Sequence, residues 1–319
     1  MNPGNKKLLL TISRIRDLTP RIRAYELRAV SGDELPLVTA GSHLTIPVLL
    51  NGKTVFRNYS ICSNPGERHF YEIAVLLDEK IRGGSTYIFN HYEVGATLAC
   101  NYPDNNFHLH ADASPSVLFA SDIGIAPIRS IAHTLASRGR RFALHYVGRS
   151  KTDMAFIAEL DHSFPRNVYL YPADENKHLD IMNALADAPG NALFYACGPQ
   201  KMLEDIETSS RLLGIHKDRL QLESFEDNSA SNRPLVLELA YSNKLIHVNP
   251  DQPLLNAVRD AGVEVNFDCC VGDCGSCAVK ILTGEADHRD HVLSDAQKAE
   301  GFICLCVSRA KGDKLVLAL

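Results

Sequence analysis

The sequence predicts a multidomain chain that changes fold class twice: an antiparallel β-barrel or sandwich, then a parallel α/β domain, then a small cysteine-rich domain. Three observations carry this expectation. Residues 1–110 are short β-branched or aromatic runs cut by Gly, Pro, Asn and Asp. Residues 111–226 alternate apolar strand runs with helix-length segments. Six of the nine cysteines fall in the last 51 residues. At 319 residues the chain is long enough for two or three domains.

In the first region the strand candidates are LLLTISRI, IRAYELRA, SHLTIPVLL, TVFRNYSIC and FYEIAVLL, with turns at Ser31-Gly32-Asp33, Asn51-Gly52 and Asn64-Pro65-Gly66. The second begins with the buried-strand run SVLFAS and a helix IAPIRSIAHTLASRG ending at Gly139. RFALHYVGR, AFIAEL, NVYLYPA, DIMNALADAPG, NALFYACGP, QKMLEDIETSSRLLG and LQLESF continue the alternation. The polar stretch EDNSASNRP follows, with 227–233 as an interdomain linker. From 234 to 319 come a hairpin turning at Ser242-Asn243, a helix PLLNAVRDAGV, the cysteine loop and two further strands.

Composition excludes several classes. A net charge of −5, with no basic run, gives nucleic-acid binding no electrostatic support. No apolar run reaches the roughly 18 residues of a membrane helix. Arg14, Arg16 and Asp17 interrupt the N-terminal apolar stretch, so a cytoplasmic protein with a first strand near Lys7 is expected. No Ser-His-Asp, H-E-x-x-H or paired-carboxylate pattern stands out. Asp287–His291, DHRDH, has a metal-like spacing and reads as a surface loop.

Cys269, Cys274 and Cys277 are spaced C-x4-C-x2-C, the plant-type [2Fe–2S] pattern; counting from Cys270 breaks it. Gly272 and Gly275 let the backbone wrap closely and aim amides at the sulfurs. Zinc is the competing metal, but only Cys274 and Cys277 have knuckle spacing. The fourth ligand is Cys304 or Cys306, which strand alternation does not separate. Cys62, Cys100 and Cys270 read as buried apolar thiols.

Two further regions suit phosphates and rings. Arg57-Asn58-Tyr59-Ser60 and Arg82-Gly83-Gly84-Ser85 offer guanidinium groups, a glycine turn with free amides and a tyrosine that stacks. SVLFASDIGIAPIRSI runs from strand into helix, where free N–H groups attract a pyrophosphate. No basic cluster suited to a 2′-phosphate is present, which favours NADH over NADPH.

These segments resemble, in the same order and over almost the whole chain, the phthalate dioxygenase reductase family, which serves Rieske oxygenases such as vanillate O-demethylase. The resemblance rests on CVGDCGSC, GEADHRD, CVSRAKGDKLVLAL, RNYS, RGGS and CGP. It implies an FMN-binding barrel of the ferredoxin-reductase type, a nicotinamide-binding α/β domain and a C-terminal α+β β-grasp ferredoxin domain. It implies Cys306, directly before V-S-R-A, as the fourth ligand beside Cys269, Cys274 and Cys277. It places Tyr59 and Ser60 at the flavin ring and Arg57, Asn58, Arg82, Gly83, Gly84 and Ser85 along the flavin towards its phosphate, with Phe225 of ESF stacking nearby. It places Gly124, Ile125, Pro127, Arg149, Ser150, Cys197, Gly198 and Pro199 around NADH, with Cys197 beside the nicotinamide ring. Where the family has Gly-Gly this chain has Ser121-Asp122; the aspartate either caps the helix or repels the pyrophosphate.

The resulting expectation is an enzyme, monomeric when isolated, that passes electrons from NADH through FMN and a [2Fe–2S] cluster singly to a terminal oxygenase of Rieske type. The acceptor alternatives are a cytochrome P450 and, outside catalysis, a [2Fe–2S] redox sensor with a decayed nucleotide site.

Overall fold

Period-two burial builds the first region. Along SHLTIPVLL, Leu44, Ile46 and Val48 are almost wholly buried while Thr45, Pro47 and Leu49 are more exposed, so the run is a strand with one core face. The structure, a computed structural model, describes residues 7–50, 52–77, 83–225, 232–250, 252–267, 272, 274–290 and 292–319. The chain forms two compact units, 1–226 and 227–319. Most of the expected linker lies outside the described residues.

In the first unit β1 (Leu8–Thr19), β2 (Ile22–Ala29), β3 (Ser42–Leu50), β4 (Lys53–Ser60), β5 (Tyr71–Leu76), α1 (Gly84–His91), β6 (Thr97–Cys100) and β7 (Asp104–Asn105) come first. The strands make two antiparallel sheets, ordered β5-β2-β1-β6 and β4-β3-β7, over a shared core that includes Leu10, Ile12, Tyr25, Leu44 and Ile46. The sheets touch at two corners. Asn101 N–H donates to the Thr45 carbonyl at 3.0 Å, and Ile61 bridges Ile73. The expected barrel is therefore a pair of sheets hinged at corners, without a continuous ladder round the ring among the described residues. Bulges in β1, at Ile12–Arg14 and Asp17–Thr19, supply the bend. Helix α1 went unread in the sequence because Thr86, Tyr87, Ile88 and Phe89 favour strands; burial of Ile88 in the core overrides that preference.

β8 (Ser116–Ser121), α2 (Ile125–Ser137), β9 (Phe142–Gly148), α3 (Ile157–Ser163), β10 (Val168–Pro172), α4 (Ile181–Ala186), β11 (Leu193–Gly198), α5 (Gln200–Leu212) and β12 (Leu220–Ser224) complete this unit. Every pair in the sheet β10-β9-β8-β11-β12 is parallel. The strand order reverses between β8 and β11, and ligands of such sheets bind outside the carboxyl ends at that point. One core joins the two halves: Ile22, Ala24, Cys62 and Ala74 pack with Ile125, Ile128, Leu144 and Cys197.

The second unit holds β13 (Leu235–Leu239), β14 (Lys244–Val248), α6 (Leu254–Asp260), β15 (Ala278–Thr283), β16 (Ala286–Asp287), α7 (Asp295–Ala299), β17 (Phe302–Cys304), β18 (Arg309–Ala310) and β19 (Lys314–Leu317). Its main sheet, β14-β13-β19-β15-β17, is antiparallel except where β13 meets β19, and α6 buries Leu254, Leu255 and Val258 in the same core. This is the mixed sheet and helix of a β-grasp. Among the described residues no helix is long and apolar enough to cross a membrane.

Candidate functional site

The carboxyl ends of β8, β9 and β11 bring the nicotinamide candidates together. Ser121 ends β8, Arg149 and Ser150 follow β9, and Cys197-Gly198 ends β11. Gly124 packs directly against the end of β11. A Cβ there would lie 2.1 Å from the Cys197 carbonyl oxygen and 3.2 Å from its sulfur, so only glycine fits. A Cβ on Gly198 would come within 3.4 Å of the Ser121 Cβ, so these two strand ends also nearly touch. Ile125 and Pro127 bury their side chains in the core, leaving the backbone at the start of α2 as their contribution. No side chain caps that helix. Pro199 caps the start of α5. Arg149 is exposed, and the Ser150 hydroxyl donates to Asp153 Oδ2 at 2.8 Å.

Asp122 occupies the left-handed region at φ 48°, the conformation a glycine adopts freely. Of the two expectations for it, capping is not found: its carboxylate accepts from the Ser121 hydroxyl at 3.4 Å. Burial raises its carboxyl above the usual range, opposed by Ser121 and by the charges of Arg149 and Arg21.

Cys197 is 2% exposed. Burial and the facing Glu223 carboxylate hold its thiol well above the ordinary range, so it is a neutral group at the crevice wall. Sequence reasoning missed Glu223, although it belongs to the quoted ESF; its register opposite Cys197 appears only once β11 and β12 pair. Phe225 is half-buried against the same core.

On β4, Arg57 and Tyr59 point to the side of the buried Ile46 and Leu44, while Asn58 and Ser60 point the other way. Asn58 is exposed and accepts from the Thr45 hydroxyl at 2.8 Å. Ser60 lies opposite the buried His43. Burial pushes the Tyr59 phenol up to about 12, so it stays protonated at neutral pH. Gly83, at φ 82°, turns the chain into α1. A Cβ on Gly84 would lie 3.7 Å from Arg57 Nε, which sets the guanidinium beside the helix N-terminus carrying Ser85. That terminus has no side-chain cap and no acid in its first turn, which fits the phosphate of a flavin mononucleotide. Arg82 lies outside the described residues.

In the second unit the sulfurs of Cys277 and Cys306 stand 3.3 Å apart. The hydrogen bond shared with Cys306 draws the Cys277 thiol below the ordinary thiol range, towards the thiolate form that binds iron. Cys304 is wholly buried and its thiol also shares a hydrogen bond with Cys277; burial and the nearby Asp290 push it up to about 12. Cys274 is exposed, and Ser276 N–H donates to its sulfur at 3.4 Å. Gly272 and Gly275 both have positive φ; a Cβ on Gly272 would lie 2.8 Å from Val307 and 3.0 Å from the Asp290 backbone. The donor set fits a thiolate-held cluster. Cys269 and Cys270 fall outside the described residues; Cys62 and Cys100 are buried, as expected.

The stretch read as a surface loop is corrected at its centre. Asp290 is 5% exposed and accepts from Leu293 N–H at 3.1 Å and the Ser308 hydroxyl at 3.2 Å, with His288 Nδ1 at 3.5 Å. It ties the GEADHRD and CVSRA segments together through Ser308.

Comparison with known proteins agrees with this geometry. Residues 238–311 match the 2Fe-2S iron-sulfur cluster binding domain. The vanillate O-demethylase oxidoreductase of Acinetobacter baylyi is 34% identical, covering 97% of this chain and 98% of its own. Phthalate dioxygenase reductase of Burkholderia cepacia is 34% identical over 98% and 97%. A solved phthalate dioxygenase reductase superposes with a TM-score of 0.79 at 33% identity, covering 98% of both chains. An intact type IV self-sufficient cytochrome P450 monooxygenase matches all of this chain with 42% of its own length, at 34% identity and a TM-score of 0.72. The chain belongs to the phthalate dioxygenase reductase family of NADH-dependent flavin and [2Fe–2S] oxidoreductases.

Proposed function

We propose that this protein is the reductase of a two-component oxygenase, taking electrons from NADH and delivering them singly to a Rieske non-haem iron enzyme that acts on an aromatic or quaternary-ammonium compound. One observation carries the reading most: Gly124, Cys197, Gly198 and Ser121 meet closely at the carboxyl ends of β8 and β11, where the strand order reverses, in the same unit as Arg57 beside Gly84. When bound, the flavin accepts two electrons together and releases them one at a time, and the cluster carries one.

The chain's own residues supply placement. Residues 1–110 serve as the flavin module, 111–226 as the nicotinamide module and 234–319 as the ferredoxin. Arg57 and the amides of α1 hold the flavin phosphate; Tyr59 and Phe225 line its ring. The start of α2 holds the pyrophosphate, with Arg149 and Ser150 towards the adenosine end. Cys197, kept neutral, adds no charge beside the nicotinamide. Cys269, Cys274, Cys277 and Cys306 hold the cluster, with Ser276 N–H directed at one sulfur. A cytoplasmic monomer fits this role.

The match to a self-sufficient P450 favours a second reading, a haem acceptor. NADH-dependent reduction of a purified Rieske oxygenase from the same organism, run beside a P450, separates the two. Electron delivery to the P450 alone would overturn the first. Failure of NADH to reduce ferricyanide through this chain would favour the sensor alternative.

A further inference from the structure

Outside these sites, a chain of four charged side chains links the two halves of the first unit, with Glu72 as its buried member. Glu72, on β5, is 6% exposed. Its Oε1 accepts from Arg129 Nη1 of α2 at 2.7 Å, and its Oε2 from Arg16 Nη2 of β1 at 2.7 Å. Arg16 extends the chain to Glu159 of α3 at 2.9 Å. Arg129 Nη1 also donates to the Cys62 carbonyl at 3.0 Å, and its guanidinium lies 4.4 Å from the centre of the Phe156 ring. Cys62 N–H donates to the Glu72 carbonyl at 2.8 Å. His133, one turn further along α2, is driven down to about 4 by burial and by Arg129, so it stays neutral.

The placement of these groups matters more than their number. Cys62 lies two residues past Ser60, where the flavin strand ends. Arg129 lies one helical turn past Ile125, where the nicotinamide crevice begins. Arg129 therefore grips, with one nitrogen, both the exit of the flavin strand and the carboxylate of the neighbouring strand. Buried ion pairs add little net stability, but they specify one geometry when every partner is satisfied.

We infer that Arg16, Glu72 and Arg129 are positioning residues that hold the nicotinamide crevice in register with the flavin strand, and so set the rate at which NADH reduces the flavin. In that step NADH becomes NAD⁺ and its hydride, two electrons with one proton, passes to the flavin. The inference rests on the NADH-to-flavin reading above.

The test is anaerobic stopped-flow reduction of the loaded protein, reading the limiting rate at saturating NADH separately from the dissociation constant. Thermal melting and flavin content are read on the same samples. Arg129→Met should lower the limiting rate roughly tenfold or more, as expected for a misplacement of a fraction of an ångström, with a smaller change in NADH affinity. Glu72→Met/Arg129→Met replaces the pair by apolar contacts, leaving Arg16 with Glu159. It should melt at least as high as the single variant and remain slow. Arg129→Lys should recover part of the rate. A double variant that reduces its flavin at the wild-type limiting rate would overturn the positioning role. Wild-type protein whose flavin NADH does not reduce would instead overturn the functional reading.

Discussion

The contact between Gly124 and Cys197 makes the sharpest prediction about the nicotinamide crevice. Gly124→Ala adds a methyl group 2.1 Å from the Cys197 carbonyl oxygen and 2.6 Å from its carbonyl carbon. Ordinary contact begins at 3.4 Å, so something must move by about 1.3 Å. The obstructing atoms are backbone of β11, which is paired on both sides, to β8 and to β12, and yields little. Gly124 itself has φ −58°, so the penalty is steric and owes nothing to a left-handed turn. Overpacking of this kind costs about 1–3 kcal/mol. For a unit of this size that is a fall in Tm of roughly 2–12 °C. The same shift displaces Cys197 from the crevice wall, and a 1 Å error costs on the order of 100-fold in rate. The assay is anaerobic stopped-flow flavin reduction by NADH, with thermal melting alongside. Gly190→Ala is the control, since nothing lies within 4 Å of its added Cβ. If Gly124→Ala reduces its flavin within about twofold of wild type and melts normally, the crevice is elsewhere.

Cys306→Ser should abolish the iron and visible absorbance of the cluster, whereas Cys304→Ser should retain both and cost about 1–3 kcal/mol for a buried hydroxyl; iron analysis with electron paramagnetic resonance decides. Asp122→Gly should relieve the left-handed strain and lower the Michaelis constant for NADH, read from steady-state kinetics; an unchanged or higher value removes the repulsion argument. Because the folded Asp122 carboxyl is raised, its contribution to stability is complete below the ordinary carboxylate range and is lost as pH rises through the folded value. Asp122→Asn should flatten that part of the pH–stability curve, measured by chemical denaturation. Asp290→Asn keeps the shape but loses a buried acceptor of several donors, costing about 1.5–3 kcal/mol, seen as earlier thermal loss of cluster absorbance.

Most of the fold was legible because its signals are local. Short β-branched and aromatic runs between turn residues marked β1 to β5, and apolar runs with helix-length segments marked the parallel sheet. The corner-joined sheets and helix α1 were not legible, since both depend on burial between elements distant in sequence. The cluster shows the same division. Spacing identified three thiols, but position alone left Cys304 and Cys306 equivalent. The strand ends at Cys304, and the turn that follows brings Cys306 to 3.3 Å from Cys277, while Cys304, wholly buried, has its thiol pushed up by burial and by Asp290. Asp290 and Glu223 were invisible for a related reason: each acquires its role from a partner on another segment, Ser308 and Cys197. Asp122 was visible as a departure from the family, but only its φ shows why a glycine suits that place.

The central claim is that one chain carries electrons from NADH through a flavin to an iron–sulfur cluster. Anaerobic titration of the purified, loaded protein with NADH tests it directly. The account predicts bleaching of the flavin absorbance together with that of the cluster, and a paramagnetic signal of the reduced cluster that Cys306→Ser lacks. Flavin and cluster bands that stay unchanged with excess NADH, yet bleach with dithionite, would contradict it.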